Sequence, residues 1–191
     1  MVLEVVKYGH PALRKKGERV EKITPEIKQF IADMFETMYA AKGVGLAAQQ
    51  VGRALQLTVI DVRGAAERPS TLEIEGQEAN VDAFMPIALI NPEIKPIGEP
   101  VAGPEGCLSF PEVFADITRP DMTEVRALNQ KGETVEFRCG GLLSRAIQHE
   151  IDHLNGILFI DRMKRADKDE LKAELDDLQH ATKEALKKAK R

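Results

Sequence analysis

Apolar residues recur at helical spacing from Ile27 through Phe30, Ile31, Met34 and Phe35 to Met38. That period predicts an amphipathic helix with one buried face. Thr24 is placed to cap it, Pro25 suits its first position, and Glu26 suits its first turn. Gly43 and Gly45 stop the pattern and predict a glycine-rich loop. The pattern then shortens toward β-branched runs. Strands are expected over residues 56–62, 85–90, 113–118, 123–128 and 134–139. Asn91-Pro92 ends or bends the second, and the last two form a hairpin across Asn129-Gln130-Lys131-Gly132. Residues 64–83 carry five acidic side chains against Arg68 and read as a long loop, either a flexible acidic lid or a solvated insertion.

Gly140-Gly141 breaks the last strand, and a helix is expected over residues 142–155. Its apolar residues Leu142, Leu143, Ala146, Ile147, Ile151 and Leu154 spread over more than one face. Such a helix is buried on several sides, so it should be the centre of the domain. Residues 166–191 predict a second long helix. Leu171, Leu175, Leu178, Thr182, Ala185 and Ala189 form a narrow seam on it, and Lys187–Arg191 make a basic end. The fold class expected is α+β: antiparallel and mixed strands around a central helix, with a C-terminal helix outside. Residues 1–165 should form the catalytic domain and 166–191 a helical extension of it.

Composition narrows the class. A chain of 191 residues, 43% apolar and 30% charged, fits one globular domain with a real core. A net charge of −4 argues against a nucleic-acid footprint over the whole surface, and no sequence-specific nucleic-acid binding is expected. Two cysteines, Cys107 and Cys139, are too few for a secreted disulfide scaffold. The opening Met1–His10 lacks a basic stretch followed by an apolar run. No apolar run reaches the ~18–20 residues of a membrane span. A cytoplasmic protein with no membrane partner is expected.

The chemistry concentrates in His149-Glu150-Ile151-Asp152-His153. Residues four apart share a helix face, so the two imidazoles can grip one metal ion. Glu150, beside the first, can reach a water on that ion. Burying His, Glu, Asp and His together without such a partner would be costly. A catalytic site wants a third protein ligand and an open position. Beyond His153 the candidates are Asn155, Asp161 and His180, and neither Asp161 nor His180 has the spacing of a known third ligand. Upstream stands Glu105-Gly106-Cys107-Leu108-Ser109. There Cys107 reads on spacing either as a thiolate ligand or as a small buried hydrophobe.

Three segments resemble the signature motifs of the peptide deformylases, in their order and spacing. They are Gly43-Val44-Gly45-Leu46-Ala47-Ala48-Gln49-Gln50, Glu105-Gly106-Cys107-Leu108-Ser109, and Gln148-His149-Glu150-Ile151-Asp152-His153. Pro11–Arg14 and the strand before Asn91-Pro92 are similar as well, so the resemblance runs from the N-terminus to about Met163. It implies an enzyme that removes the formyl group from the initiator methionine of nascent polypeptides. One divalent ion, typically Fe²⁺, with Zn²⁺, Ni²⁺ or Co²⁺ able to occupy the site, would be held by Cys107, His149 and His153. Glu150 would be the general acid/base. The Gln50 side chain and the Leu108 backbone N–H would stabilise the oxyanion. Val44, Gly45, Leu46 and Gly106 would line the peptide cleft, and Leu142 and Ala146 would wall the methionine pocket. Val113-Phe114 stands where many bacterial members carry a substrate-binding arginine, so that contact does not carry over.

Asp152 is expected to pair with Arg119 or Arg145 and brace the helix. The basic C-terminal end could dock on an anionic partner such as the ribosome, or simply be a solvated helix end. Two other readings remain at this stage. A zinc endopeptidase would need a third ligand after His153. A non-catalytic peptide- or ribosome-binding relative would carry a structural metal with its fourth position filled.

Overall fold

The computed structural model describes residues 1–189. Helix α1 spans Pro25–Ala40, and the Thr24 hydroxyl accepts from the Ile27 N–H at its start. After it come β1 (Gly45–Ala47), β2 (Leu57–Ile60), β3 (Ser70–Ile74) and β4 (Gln77–Glu78), then the short α2 (Val81–Phe84). Two long strands follow, β5 (Ile87–Cys107) and β6 (Phe110–Leu128), then β7 (Thr134–Gly140). Helices α3 (Gly141–Leu154), α4 (Arg165–Glu170) and α5 (Lys172–Ala189) complete the chain.

The strands form one sheet in the order β1-β2-β5-β6-β7-β3-β4, and every named pair is antiparallel. The mixed component expected from sequence is therefore absent among the described strands; one isolated parallel bridge joins Glu18 and Leu55. At the β1-β2-β5 end the sheet is buried on both faces. Ile60 and Leu89 point into a cluster with Leu143, Ile147 and Leu154 of α3, while Val59, Ala88 and Ile90 point into a second with Ile31, Met34 and Met38 of α1. Burial on both sides explains why these strands read as continuous apolar runs.

The expected long loop at 64–83 is largely structured. Leu72 is buried opposite Cys139, and Thr71–Glu73 pair with β7. Glu75 and Gly76 both take positive φ, as a two-residue hairpin turn requires. Ser70–Ile74 followed by Glu-Gly is the signal that an emphasis on acidic composition obscured.

Other boundaries also shift. The glycine-rich stretch after α1 becomes the edge strand β1 at Gly45. Asn91-Pro92 bends rather than ends β5, because the ladder skips between Ile90 and Glu93 and then resumes. The expected strands 113–118 and 123–128 are one strand, β6. The β6–β7 turn runs Asn129–Glu133, one residue longer than expected. The C-terminal helix is broken at Leu171 into α4 and α5, and Lys190 and Arg191 lie outside the described residues. Leu175 anchors α5 in a third cluster with Phe110, Ile117 and Phe159.

Candidate active site

Twelve of the fourteen α3 residues, all but Gly141 and Arg145, are buried, polar motif included. His149 and His153 stand one turn apart, with ring centroids 5.0 Å apart. Cys107, at the end of β5, meets them: one donor atom from each of the three lies within 4.8 Å of the others. Cys107 Sγ is 3.3 Å from His153 Nε2. The endopeptidase candidates lie elsewhere. Asp161 is paired with Arg14, His180 is exposed on α5, and the Asn155 side-chain amide donates to the Ile151 carbonyl.

Glu105 is the functional residue the sequence reading left without a role. On a strand, residues two apart point to the same face, so Glu105 follows Cys107 toward α3. Its carboxylate accepts from His149 Nδ1 at 2.9 Å, from Arg119 at 2.5 and 2.9 Å, and from Arg145 at 2.9 Å. Burial alone would push this carboxyl up. The His149 and Arg119 hydrogen bonds outweigh burial and lower it to about 2. With Nδ1 so engaged, His149 turns its other nitrogen toward Cys107, the orientation a histidine ligand needs.

Asp152 pairs with Arg119 at 2.9 Å as expected, but its second partner is Arg162, at 2.6 Å, and not Arg145. Arg145 is held instead by Glu105 and by the backbone carbonyls of Ile117 and Val101. Arg162 reaches back because the chain reverses at Gly156, whose φ is +73°.

Glu150 is buried beside Gly45, where an added Cβ would stand 2.5 Å from Glu150 Oε1. The absence of a side chain at 45 is what admits the carboxylate. Glu150 Oε2 has no protein partner, and burial pushes the carboxyl up to about 7. Gln50 lies in the 3-10 turn Ala48–Val51. Its Oε1 accepts from the Ala47 N–H at 2.9 Å, which fixes the amide. Nε2 then donates toward Cys107 Sγ and Ser109 Oγ, each at 3.4 Å.

These groups open on a cleft of about 610 Å³. Val44, Gly45, Gln50, Gly106, Cys107, Leu108, Leu142, Ala146, His149 and Glu150 all line it. Leu46 does not: its side chain is fully buried among α1 residues, and its carbonyl accepts from Thr58. His153 sits deeper, behind Cys107 and His149. The donor set of one thiol and two imidazoles suits a borderline-soft divalent ion. The unpartnered Glu150 Oε2 and the Glu105-oriented His149 fit such an ion with a water beside it.

Replacing Glu105 with Gln is expected to weaken metal retention about 10–100-fold by loosening His149. Chelator competition followed by metal analysis checks this, and unchanged retention would remove Glu105 from the site.

Comparison with known proteins follows the same line. The family model described as Polypeptide deformylase matches residues 2–169. The chain is 43% identical over 189 residues to a peptide deformylase of Opitutus terrae, covering 98% of each chain. It is 45% identical over 178 residues to one of Methylacidiphilum infernorum, covering 93% of each. Among solved structures it resembles Arabidopsis thaliana peptide deformylase 1B in complex with an inhibitor, with a TM-score of 0.82 and 35% identity, over 96% of this chain and 93% of that one. It also resembles a Synechococcus elongatus peptide deformylase in complex with actinonin, with a TM-score of 0.74 and 37% identity, over 94% of this chain and 85% of that one. The chain belongs to the polypeptide deformylase family.

Proposed function

We propose that this protein is a metal-dependent hydrolase that removes the N-formyl group from N-formylmethionyl nascent polypeptides and releases formate. The observation that carries this reading is the convergence of Cys107, His149 and His153 at a cleft that also presents Glu150 and the Gln50 amide. Cys107, His149 and His153 would hold one divalent ion per chain, Fe²⁺ being the ion proposed, with Zn²⁺, Ni²⁺ or Co²⁺ as substitutes. A bound divalent ion supplies Lewis acidity, polarising a carbonyl and lowering the pKa of water toward neutrality.

The chain's own groups do the rest. Glu150, buried and unpartnered at Oε2, accepts the attacking water's proton and returns it to the departing amine. As the formyl carbon becomes tetrahedral, Gln50 Nε2 and the Leu108 N–H donate to the developing oxyanion. The substrate backbone aligns along the outer edge of the sheet at Val44 and Gly45, with Gly106 across the cleft. Leu142 and Ala146, one turn apart on α3, wall the methionine pocket. A site cramped around the reacting carbon would admit formyl and reject acetyl by steric clash.

In this reading residues 1–165 are the catalytic domain, built around the helix that bears both histidines, and 166–191 extend it. A nascent-chain substrate places the enzyme in the cytoplasm beside the ribosome. The element assigned to that contact is α5, with Lys187 and Lys188 near its end. No helix among the described residues is long and apolar enough to cross a membrane.

The test is direct. The protein is purified without oxygen, its metal is measured, and formate release is followed from formyl-Met-Ala-Ser, its acetylated counterpart and the free peptide. Turnover of the formyl peptide alone is expected. No formate from an iron- or nickel-loaded sample would refute the reading.

A further inference from the structure

Cys107 pairs with Phe110, so Leu108 and Ser109 form a two-residue turn between β5 and β6. Two-residue hairpin turns ordinarily use positive φ at one or both centres, which matches the twist of the strands they join. Neither Leu108 nor Ser109 has a positive φ. The turn is also cut off from the regular ladder. Gly106 pairs with Phe114, so Pro111, Glu112 and Val113 bulge between the two pairings. A turn of this kind is poorly held by its own hairpin.

It is held from outside by three consecutive residues near the N-terminus. The Val6 N–H donates to the Gln50 carbonyl at 2.8 Å, the Lys7 ammonium to the Leu108 carbonyl at 2.8 Å, and the Tyr8 N–H to the Ser109 carbonyl at 2.9 Å. The Tyr8 ring stacks on Phe110 at 4.8 Å between centroids. One short segment thus ties together the two places that carry the oxyanion donors. Val6 and Tyr8 use backbone groups, which almost any residue would supply. Lys7 alone makes its hydrogen bond through a side chain. That side chain is half-buried and reaches the cleft wall.

We infer that Lys7 is a positioning residue for the hydrolysis proposed above: by holding the Leu108 carbonyl it fixes the turn that presents the Leu108 N–H to the reacting group. The inference rests on that reading of the function. Both turn carbonyls are engaged on the N-terminal side, by Lys7 and Tyr8. Removing the ammonium deletes none of the groups proposed to touch substrate but lets the turn that carries the Leu108 N–H move. The expected result is a lower rate with unchanged substrate binding.

The experiment compares wild type with Lys7→Met, which keeps the apolar stem, and Lys7→Arg, which keeps a charged donor. All are full chains loaded with nickel under anaerobic conditions. Lys7→Met should lower kcat on formyl-Met-Ala-Ser about tenfold, with KM within twofold and metal content unchanged. Amide hydrogen exchange across Cys107–Phe110, followed on zinc-loaded protein, should accelerate in Lys7→Met and recover in Lys7→Arg together with kcat. If Lys7→Met does not fold, Lys7→Gln carries the same comparison. Unchanged exchange at the turn, a kcat within twofold of wild type, a change confined to KM, or loss of metal in step with activity would each overturn the inference. Absence of formate release from wild type would instead sink the proposed function, while the exchange measurements would still judge whether Lys7 holds the turn.

Discussion

Replacing Glu150 with Gln is expected to lower kcat by about 10²–10⁴ while leaving metal content and KM close to wild type. The substitution keeps the shape of a side chain that fits only because residue 45 has no Cβ, so the cleft should not rearrange. It removes the one buried carboxylate oxygen at the site that has no protein partner and can therefore take a proton. Metal analysis and steady-state kinetics on the same preparation check this. A variant within tenfold of wild type would exclude Glu150 as the proton carrier.

The same substitution should stabilise the metal-free protein. Burial holds the Glu150 carboxyl at about 7, above its ordinary 4.5, so the folded state binds this proton more tightly than the unfolded chain does. Stability from this group is therefore full below pH 4.5 and is lost as the pH rises through about 7. At pH 8 the loss is on the order of 3 kcal/mol. The metal-free Gln variant should melt above metal-free wild type at pH 8, and the gap should close toward pH 4. A gap that persists at pH 4 would assign the gain to packing rather than to charge. The proposed proton carrier, kept buried, thus costs the fold stability that its chemistry would require.

What could be read from the sequence divides along physical lines. His149, Glu150 and His153 were legible because helical spacing alone puts them together; the structure needed only to bury that helix. The capped first helix was legible for the same reason, since Thr24, Pro25 and the Ile27–Met38 period are all local signals. Cys107 was open on spacing, because its approach to the histidines depends on how β5 bends across three register shifts. Glu105 shares a strand face with Cys107, a signal that was present and unused. Arg162 could not have been matched to Asp152 from spacing, since the pairing depends on the reversal at Gly156. Lys7 was still less visible. Its partner lies 101 positions away, and nothing local marks it.

Gln50→Leu is expected to lower kcat by about 10²–10³, the usual cost of losing one oxyanion donor. Leu also removes a second interaction. Gln50 Oε1 accepts from the buried Ala47 N–H, and leaving that donor unpaired costs about 1–3 kcal/mol of stability. A loss of rate in Leu alone would therefore mix two effects. Gln50→Glu separates them: it keeps an acceptor for Ala47 and replaces only the Nε2 donor aimed at Cys107 and Ser109. Both variants should lose the rate, and only Leu should leave the Ala47 N–H unpaired, as kinetics and amide hydrogen exchange at Ala47 in metal-matched samples would show. If Gln50→Glu kept wild-type kcat, Gln50 would be a brace for β1 through Ala47, and oxyanion stabilisation would have to come from the Leu108 N–H and the metal without it. Because its Oε1 anchors the strand along which the substrate is proposed to lie, and its Nε2 is aimed at Cys107 and Ser109, Gln50 would couple substrate alignment to charge stabilisation through one planar amide.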